Sequence, residues 1–279
     1  MGFYVFLLTG GLLMIFDMHT HAFPDPIAVK ALPKLASICG CPYHTDGTFA
    51  GTQAKMKEWG IDAFALMHIA TTPTQHTSVN NWAAAIQKGN VFCFGSVHPH
   101  AENPTEEIRR IHSLGLKGIK FHPDYQEFMV DDPVLFPLYE EAASLHLPVT
   151  FHTGRDPLSP NLVHAPAEKM AKIADLFPTL TIIAAHMGGM DTPDEAEAFL
   201  LGKPNVYLDT AFASHFLTPN QCERMMRQHG LERILFASDC PWSRSCDELH
   251  FLETCGLTDS ELEMVCGENA CRLLKIDEK

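Results

Sequence analysis

Ile15-Phe16-Asp17-Met18-His19-Thr20-His21 is the stretch on which the fold turns. In an extended strand the side chains at i and i+2 point to the same side. His19 and His21 then emerge together where the strand ends, as two ligands of one metal ion would. Three later apolar runs also end in a residue of ligand type: Thr150-Phe151-His152, Ala184-Ala185-His186 and Ala237-Ser238-Asp239. A lone His-x-His means little in a chain with 16 histidines. Four strand ends that carry such residues mean much more.

Outward from that stretch, short apolar runs alternate with amphipathic ones. The runs predict strands over 15–19, 62–69, 91–97, 117–122, 148–152, 180–186, 206–210 and 234–238. Helical patterns fall near 78–88, 103–114, 132–146, 165–177, 192–201, 218–229 and 245–255, with a closing helix over 258–274. Strands that alternate with helices pair in parallel, because each crossover needs a helix. Continuous apolar runs such as Leu180-Thr181-Ile182-Ile183-Ala184-Ala185 suit strands covered on both faces. The expected fold is therefore a (β/α)8 TIM barrel in one domain, 14–279. A doubly wound open sheet is the alternative, but no glycine-rich phosphate loop follows the first strand. Residues 22–49, rich in proline and glycine, read as an irregular piece able to cover the barrel mouth.

The net charge of -14 and the lack of a basic patch argue against nucleic acid and anionic membrane as partners. They leave a small-molecule substrate as the expected partner, with a homo-oligomer open. Nine scattered cysteines fit buried thiols in a reducing cytoplasm better than a disulfide framework. Cys39-Gly40-Cys41 lacks the second pair that a structural zinc site uses. Residues 2–16 resemble a signal-peptide core but have no preceding basic residue, and Met14 sits just before the first strand. Residues 1–13 thus read as an apolar extension from an upstream start.

In such a barrel the C-terminal strand ends converge on one face, where active sites sit. His19, His21, His152, His186 and Asp239 would become neighbours there. Imidazole and carboxylate donors suit Zn²⁺, with Mn²⁺ or Fe²⁺ also possible.

The ordered motifs resemble the amidohydrolase superfamily, in its amidohydrolase-related branch that includes aminocarboxymuconate-semialdehyde decarboxylase. They are Phe16-Asp17-Met18-His19-Thr20-His21, Gly118-Ile119-Lys120-Phe121-His122-Pro123, Val149-Thr150-Phe151-His152-Thr153-Gly154, Ala185-His186-Met187-Gly188-Gly189 and Phe236-Ala237-Ser238-Asp239-Cys240-Pro241-Trp242. The resemblance implies His19, His21, His152 and Asp239 as metal ligands. It implies His186 as an acid/base or substrate-orienting residue and Asp239 as the proton carrier. Lys120 either clamps a substrate anion beside a single metal or, as a carbamate, bridges two metals with His186 as a further ligand. The branch generally uses one ion, which favours the clamp.

Further candidates follow from position. Asp17 would orient a ligand or serve a buried hydrogen bond. His122, Arg155 and Trp242 would contact substrate, while His68 and His98 would line the rim. The Gly188-Gly189 pair would leave amides facing the mouth. Three functions are compatible with this set. Hydrolysis of an amide, lactone or related carbonyl bond by metal-activated water comes first. Non-oxidative decarboxylation of an unsaturated or aromatic acid is the alternative, and a non-catalytic binding barrel comes last.

Overall fold

The computed structural model describes residues 14–276. The reading of residues 1–13 as an extension lies outside the described residues. The eight strands are β1 (Phe16–Thr20), β2 (Ala63–Met67), β3 (Val91–Gly95), β4 (Gly118–Phe121), β5 (Val149–Phe151), β6 (Ile182–Ala184), β7 (Val206–Asp209) and β8 (Ile234–Leu235). They form one sheet in sequence order, every pair parallel. Each strand falls inside or within a residue of its predicted run.

Between β8 and β1 the barrel closes through single hydrogen bonds rather than a ladder. Met18 N–H donates to the Phe236 carbonyl at 2.9 Å, and Asp239 N–H donates to the His19 carbonyl at 2.9 Å. His21 N–H donates to the Cys240 carbonyl at 2.6 Å. The three candidate ligands from the two ends of the chain therefore hang from directly bonded backbones.

Alternation along the strands divides the core in two. Phe64, Leu66, Ile119, Phe121, Val149 and Leu208 belong to the layer packed under the helices. Ala63, Ala65, Met67, Phe94, Ile183 and Leu235 form a separate cluster with Phe16 and Met18 that fills the barrel.

The helices are α1 (Asp25–Cys39), α2 (Phe49–Glu58), α3 (His76–Ile86), α4 (Pro104–Ser113), α5 (Pro123–Gln126) and α6 (Phe136–Ser144). After β5 come α7 (Ala167–Leu176), α8 (Pro193–Phe199), α9 (Pro219–His229), α10 (Ser245–Glu253), α11 (Asp259–Glu263) and α12 (Asn269–Leu274). Several start on a threonine cap. Thr48 accepts from Gly51 N–H, Thr218 from Gln221 N–H, and Thr258 forms a capping box with Glu261. The closing helix is continuous from 259 to 274 but widens to a π segment at Met264–Glu268. A Cβ at Gly267 would lie 2.1 Å from the Met14 carbonyl oxygen, so this wide turn admits the chain that leads into β1.

The segment 22–49 departs from its sequence reading. It carries α1, 15 residues long, with Ala28 and Leu32 buried at i and i+4. Prolines suggested breaks here, but Pro26 stands in the first turn, where a missing N–H costs nothing. Pro33 is tolerated inside the helix. Gly40 at φ 67° closes it, donating its N–H to the Ala36 carbonyl. The expectation that 22–49 covers the mouth is met, by a helix rather than a loop. The helix α2 was also absent from the sequence reading.

Glu248 of α10 ties the chain after β7 to the chain after β8. Its buried carboxylate accepts from Ser214 N–H at 3.0 Å, Ser214 Oγ at 2.7 Å and Ser243 Oγ at 2.7 Å. Burial pushes its pKa from 4.5 up to about 7, against the opposing pull of the two serines. The unfolded chain therefore releases this proton first. The stability contribution is whole below pH 4.5 and is lost as pH rises toward 7. Urea unfolding should show Glu248→Gln gaining on the parent between those pH values, by up to about 3 kcal/mol.

Candidate active site

His19 is 1% exposed, and each of its ring nitrogens has a partner. Nδ1 lies 2.8 Å from Asp209 Oδ2, at the end of β7. Nε2 lies 3.1 Å from Lys120 Nζ and 3.4 Å from Asp239 Oδ1. The His21 ring places Nδ1 3.0 Å from the Met67 carbonyl and Nε2 3.2 Å from the same Asp239 oxygen. A carbonyl and a carboxylate only accept, so both Nδ1 atoms carry the proton. In the neutral rings the His21 Nε2 lone pair then faces a carboxylate oxygen that also accepts, while the His19 Nε2 lone pair lies between that oxygen and the Lys120 ammonium that donates to it. Electron pairs converging in this way fit a cation, and imidazoles fixed through the distal nitrogen are the usual form of a metal-binding histidine. His19, His21 and Asp239 offer ligand atoms that all lie within 4.8 Å of one another.

A second group adjoins the first. His186 Nδ1 lies 3.0 Å from the Ala211 carbonyl, and its Nε2 lies 3.0 Å from His152 Nδ1. His152 Nε2 lies 3.1 Å from the Arg155 carbonyl and 3.6 Å from Asp156 Oδ2. His122 stacks on His152 with ring centroids 4.4 Å apart and 8° between planes. Its Nε2 is also 3.6 Å from Asp156 Oδ2. His122, His152 and Asp156 form the second set of ligand atoms within 4.8 Å. His152, expected beside His19 and His21, thus stands in this neighbouring group, with His186 reaching it from the first.

Backbone geometry aims these side chains. His186, Met187 and Gly188 take φ of 56°, 54° and 81° in succession, a left-handed turn directly after β6. His186 N–H donates to Asp209 Oδ1 at 2.8 Å, which helps offset the strain. Asp239 is also left-handed, at φ 65°. The Gly188 and Gly189 amides do not face the mouth, because they donate to the Ala185 and His186 carbonyls. Asp17 touches no ring. It accepts from His19 N–H, Ser238 N–H, Ser238 Oγ and Ser245 Oγ, so of its two expected roles it has the buried hydrogen bond.

Burial first, then the Lys120 charge, brings the His19 pKa down to about 4. Burial and His152 bring His186 down to about 3. Burial lowers Lys120 to about 8, against the pull of Asp209 and Asp239. For Asp239 burial acts upward, but the hydrogen bond from His21 and the surrounding imidazoles hold the carboxyl well below its usual range. Asp209 is lowered against its own burial by His19. Asp156 is raised by burial.

The cavity above these groups has a volume of about 720 Å³. It is lined by His19, His21, Lys120, His122, His152, His186, Asp239 and Trp242, all singled out from sequence. His68 also lines it, while His98 packs beside His100 away from it. The Arg155 side chain is exposed and absent from the lining, which has Asp156 instead. Sequence reading passed over Asp209 and Asp156. Asp209 ends an apolar run just as the other candidates do, so the same rule applied to β7 would have found it. Asp156 has no such signal, because it belongs to the loop after β5.

The profile of the family described as Amidohydrolase matches residues 16–276. The chain belongs to the amidohydrolase family. Members generally use a divalent metal, which agrees with the donor groups above. Over 105 residues the chain is 34% identical to the 2-amino-3-carboxymuconate-6-semialdehyde decarboxylase of Dictyostelium discoideum, a match covering 32% of this chain and 29% of that relative. Among solved structures it resembles the 5-carboxyvanillate decarboxylase of Sphingomonas paucimobilis, at TM-score 0.71 and 18% identity over 95% of this chain and 100% of that one. It also resembles the 2,6-dihydroxybenzoate decarboxylase of Rhizobium, at TM-score 0.70 and 18% identity over 95% and 99%. At such identities these structures support the barrel. Among the described residues Cys39, Cys41, Cys93, Cys222, Cys240, Cys246, Cys255 and Cys266 are free thiols, and no described helix is long and apolar enough to cross a membrane.

Because Asp209 fixes both the His19 ring and the His186 backbone, Asp209→Asn should weaken divalent-metal binding about 10- to 100-fold with the fold retained. Chelator competition together with circular dichroism would measure both.

Proposed function

We propose that the chain is a metal-dependent decarboxylase that removes CO₂ non-oxidatively from an unsaturated or aromatic carboxylic acid. One observation carries the choice of an acid as substrate, and the relatives carry the choice of reaction. Lys120 is 1% exposed, lines the cavity, and among the described residues has no carboxylate within ion-pair distance. A buried cation left this way favours an anion brought in by the substrate. Hydrolysis stood first on sequence, but the named relatives favour the alternative. Each of their three substrates is a carboxylic acid that loses CO₂.

On this proposal His19, His21 and Asp239 would hold one divalent ion, and His152 would join them from the neighbouring group. Zinc, manganese and iron all suit the donors. Such an ion would supply positive charge that stabilises anionic substrate oxygens. Lys120 holds the carboxylate or a neighbouring oxygen. Asp239, ionised at rest, takes up a proton from solvent and delivers it to the carbon that bears the carboxylate. The C–C bond then breaks, its electron pair restores the double bond, and CO₂ departs. A carboxyl held at low pKa is a strong donor once protonated, which a weakly basic carbon needs. His186 is a positioning residue, with Nδ1 fixed on Ala211 and Nε2 holding the His152 ring. His122 and Trp242 wall the substrate.

The test is CO₂ release by metal-loaded protein from a panel of 2-hydroxybenzoates and 2-aminomuconate-type acids. Lys120→Met should lower kcat/KM about a hundredfold or more at unchanged metal content, close to one ion per chain. Two ions per chain would replace the lysine clamp with a carbamate bridge. Turnover of amides or lactones, with no CO₂ from any acid, would overturn the reading.

A further inference from the structure

We propose that the acid taken by this site, on the decarboxylase reading above, carries an apolar arm that lies between α1 and α3, pointing away from Lys120. Volume is the first observation. About 720 Å³ falls in the upper half of the roughly 300–1,000 Å³ that accommodates drug-sized ligands, more than a one-ring acid fills. The second is polarity. Both carboxylates that line the cavity, Asp156 and Asp239, belong to the histidine end. Of the described residues lining it, only Lys120 and Lys34 are lysine or arginine, and Lys34 is exposed on α1. The desolvated charge that would capture a carboxylate is therefore at one end.

The other end is mainly apolar and built by two helices, with Lys34, Gln75 and Ser78 among its polar lining residues. Ile27, Ala31, Leu35 and Ile38 recur at helical spacing, so one face of α1 forms a wall. Val79 and Trp82, three apart on α3, contribute to the lining from a second helix. Ile27 is 51% exposed although it belongs to this wall, an apolar surface that a ligand would cover. His68 sits beside Trp82, with ring centroids 5.1 Å apart, and is held neutral by burial, so it sets no charge in the passage. Its buried Nε2 has no hydrogen-bond partner in the protein. That leaves a polar contact for a ring substituent of the substrate where the arm begins.

The probes are benzoate and its 4-methyl, 4-butyl and 4-hexyl derivatives, which lack the ortho hydroxyl, titrated by calorimetry into the metal-loaded full chain. A para chain extends directly away from the carboxylate. Affinity should rise two- to fourfold per methylene, so that 4-hexylbenzoate binds at least about thirtyfold tighter than 4-methylbenzoate. Ile27→Asp, at an exposed position, and Ala31→Trp should each cut the ratio between those two ligands severalfold. A flat series in the parent protein would overturn the proposal, as would an undiminished ratio in both folded variants. CO₂ release from 4-hexyl-2-hydroxybenzoate is followed in parallel. A steep binding series without CO₂ would leave the arm standing and count against the decarboxylase reading alone.

Discussion

Everything at the mouth of this barrel depends on the seam between its first and last strands. The strand β8 is two residues long, and no ladder joins it to β1. A buried carboxylate takes the place of that ladder. Asp17 gathers Ser238 N–H at 3.0 Å, Ser238 Oγ at 2.5 Å, Ser245 Oγ at 2.7 Å and His19 N–H at 3.2 Å. Four donors from three segments on one acid fix where residue 238 lies relative to residue 19. The next residue is Asp239, whose N–H bonds to the His19 carbonyl. The distance between the candidate ligands is thus set by a main-chain bond between the ligand residues themselves. Such placement keeps ligand geometry stiff while the loops above vary.

The imidazoles impose a second constraint, a count of protons. The row Ala211 carbonyl, His186, His152, Arg155 carbonyl has acceptors at both ends. Two neutral rings supply two protons to three contacts, so whichever tautomers are chosen, one contact lacks a hydrogen. His21, anchored through Nδ1, presents the same deficit to Asp239. Burial lowers His19 and His186 far enough that added protons are a costly remedy near neutral pH. A divalent ion satisfies several lone pairs at once. That fit agrees with the family's general use of a divalent metal.

Strand ends were legible in the sequence because their periodicity and terminal residue coincide. Each of the eight runs became a strand, and His19, His21, Lys120, His122, His152, His186 and Asp239 all reached the cavity. What was not legible depends on the paths of loops. Asp156 displaces its neighbour Arg155 from the cavity because the chain turns after β5, where a Cβ on Gly154 would lie 2.1 Å from Met190 N. A pattern of period two or 3.6 does not encode such a turn. The helix α1 was hidden for a different reason, since its prolines at the first turn and at position 33 read as punctuation. Hydrolysis and decarboxylation were inseparable because both call for the same ligands and the same anion clamp.

That last ambiguity has a physical root. Groups fixed by the strands determine which charges surround the reacting atoms, and both reactions draw on the same charges. What differs is whether water reaches a carbonyl carbon or a proton reaches a ring carbon. Exclusion of water decides this, and it is a property of the cover rather than of the strands. Here the cover is α1 with the loop after β5, which bring the apolar Ile27, Leu35, Ile38 and Leu158 to the cavity beside Lys34 and Asp156. On the proposed decarboxylase reading, such a cover would disfavour a free nucleophilic water and leave Asp239 as the proton source. Reaction choice and substrate choice would then both depend on the same helix, the one element whose prolines concealed it.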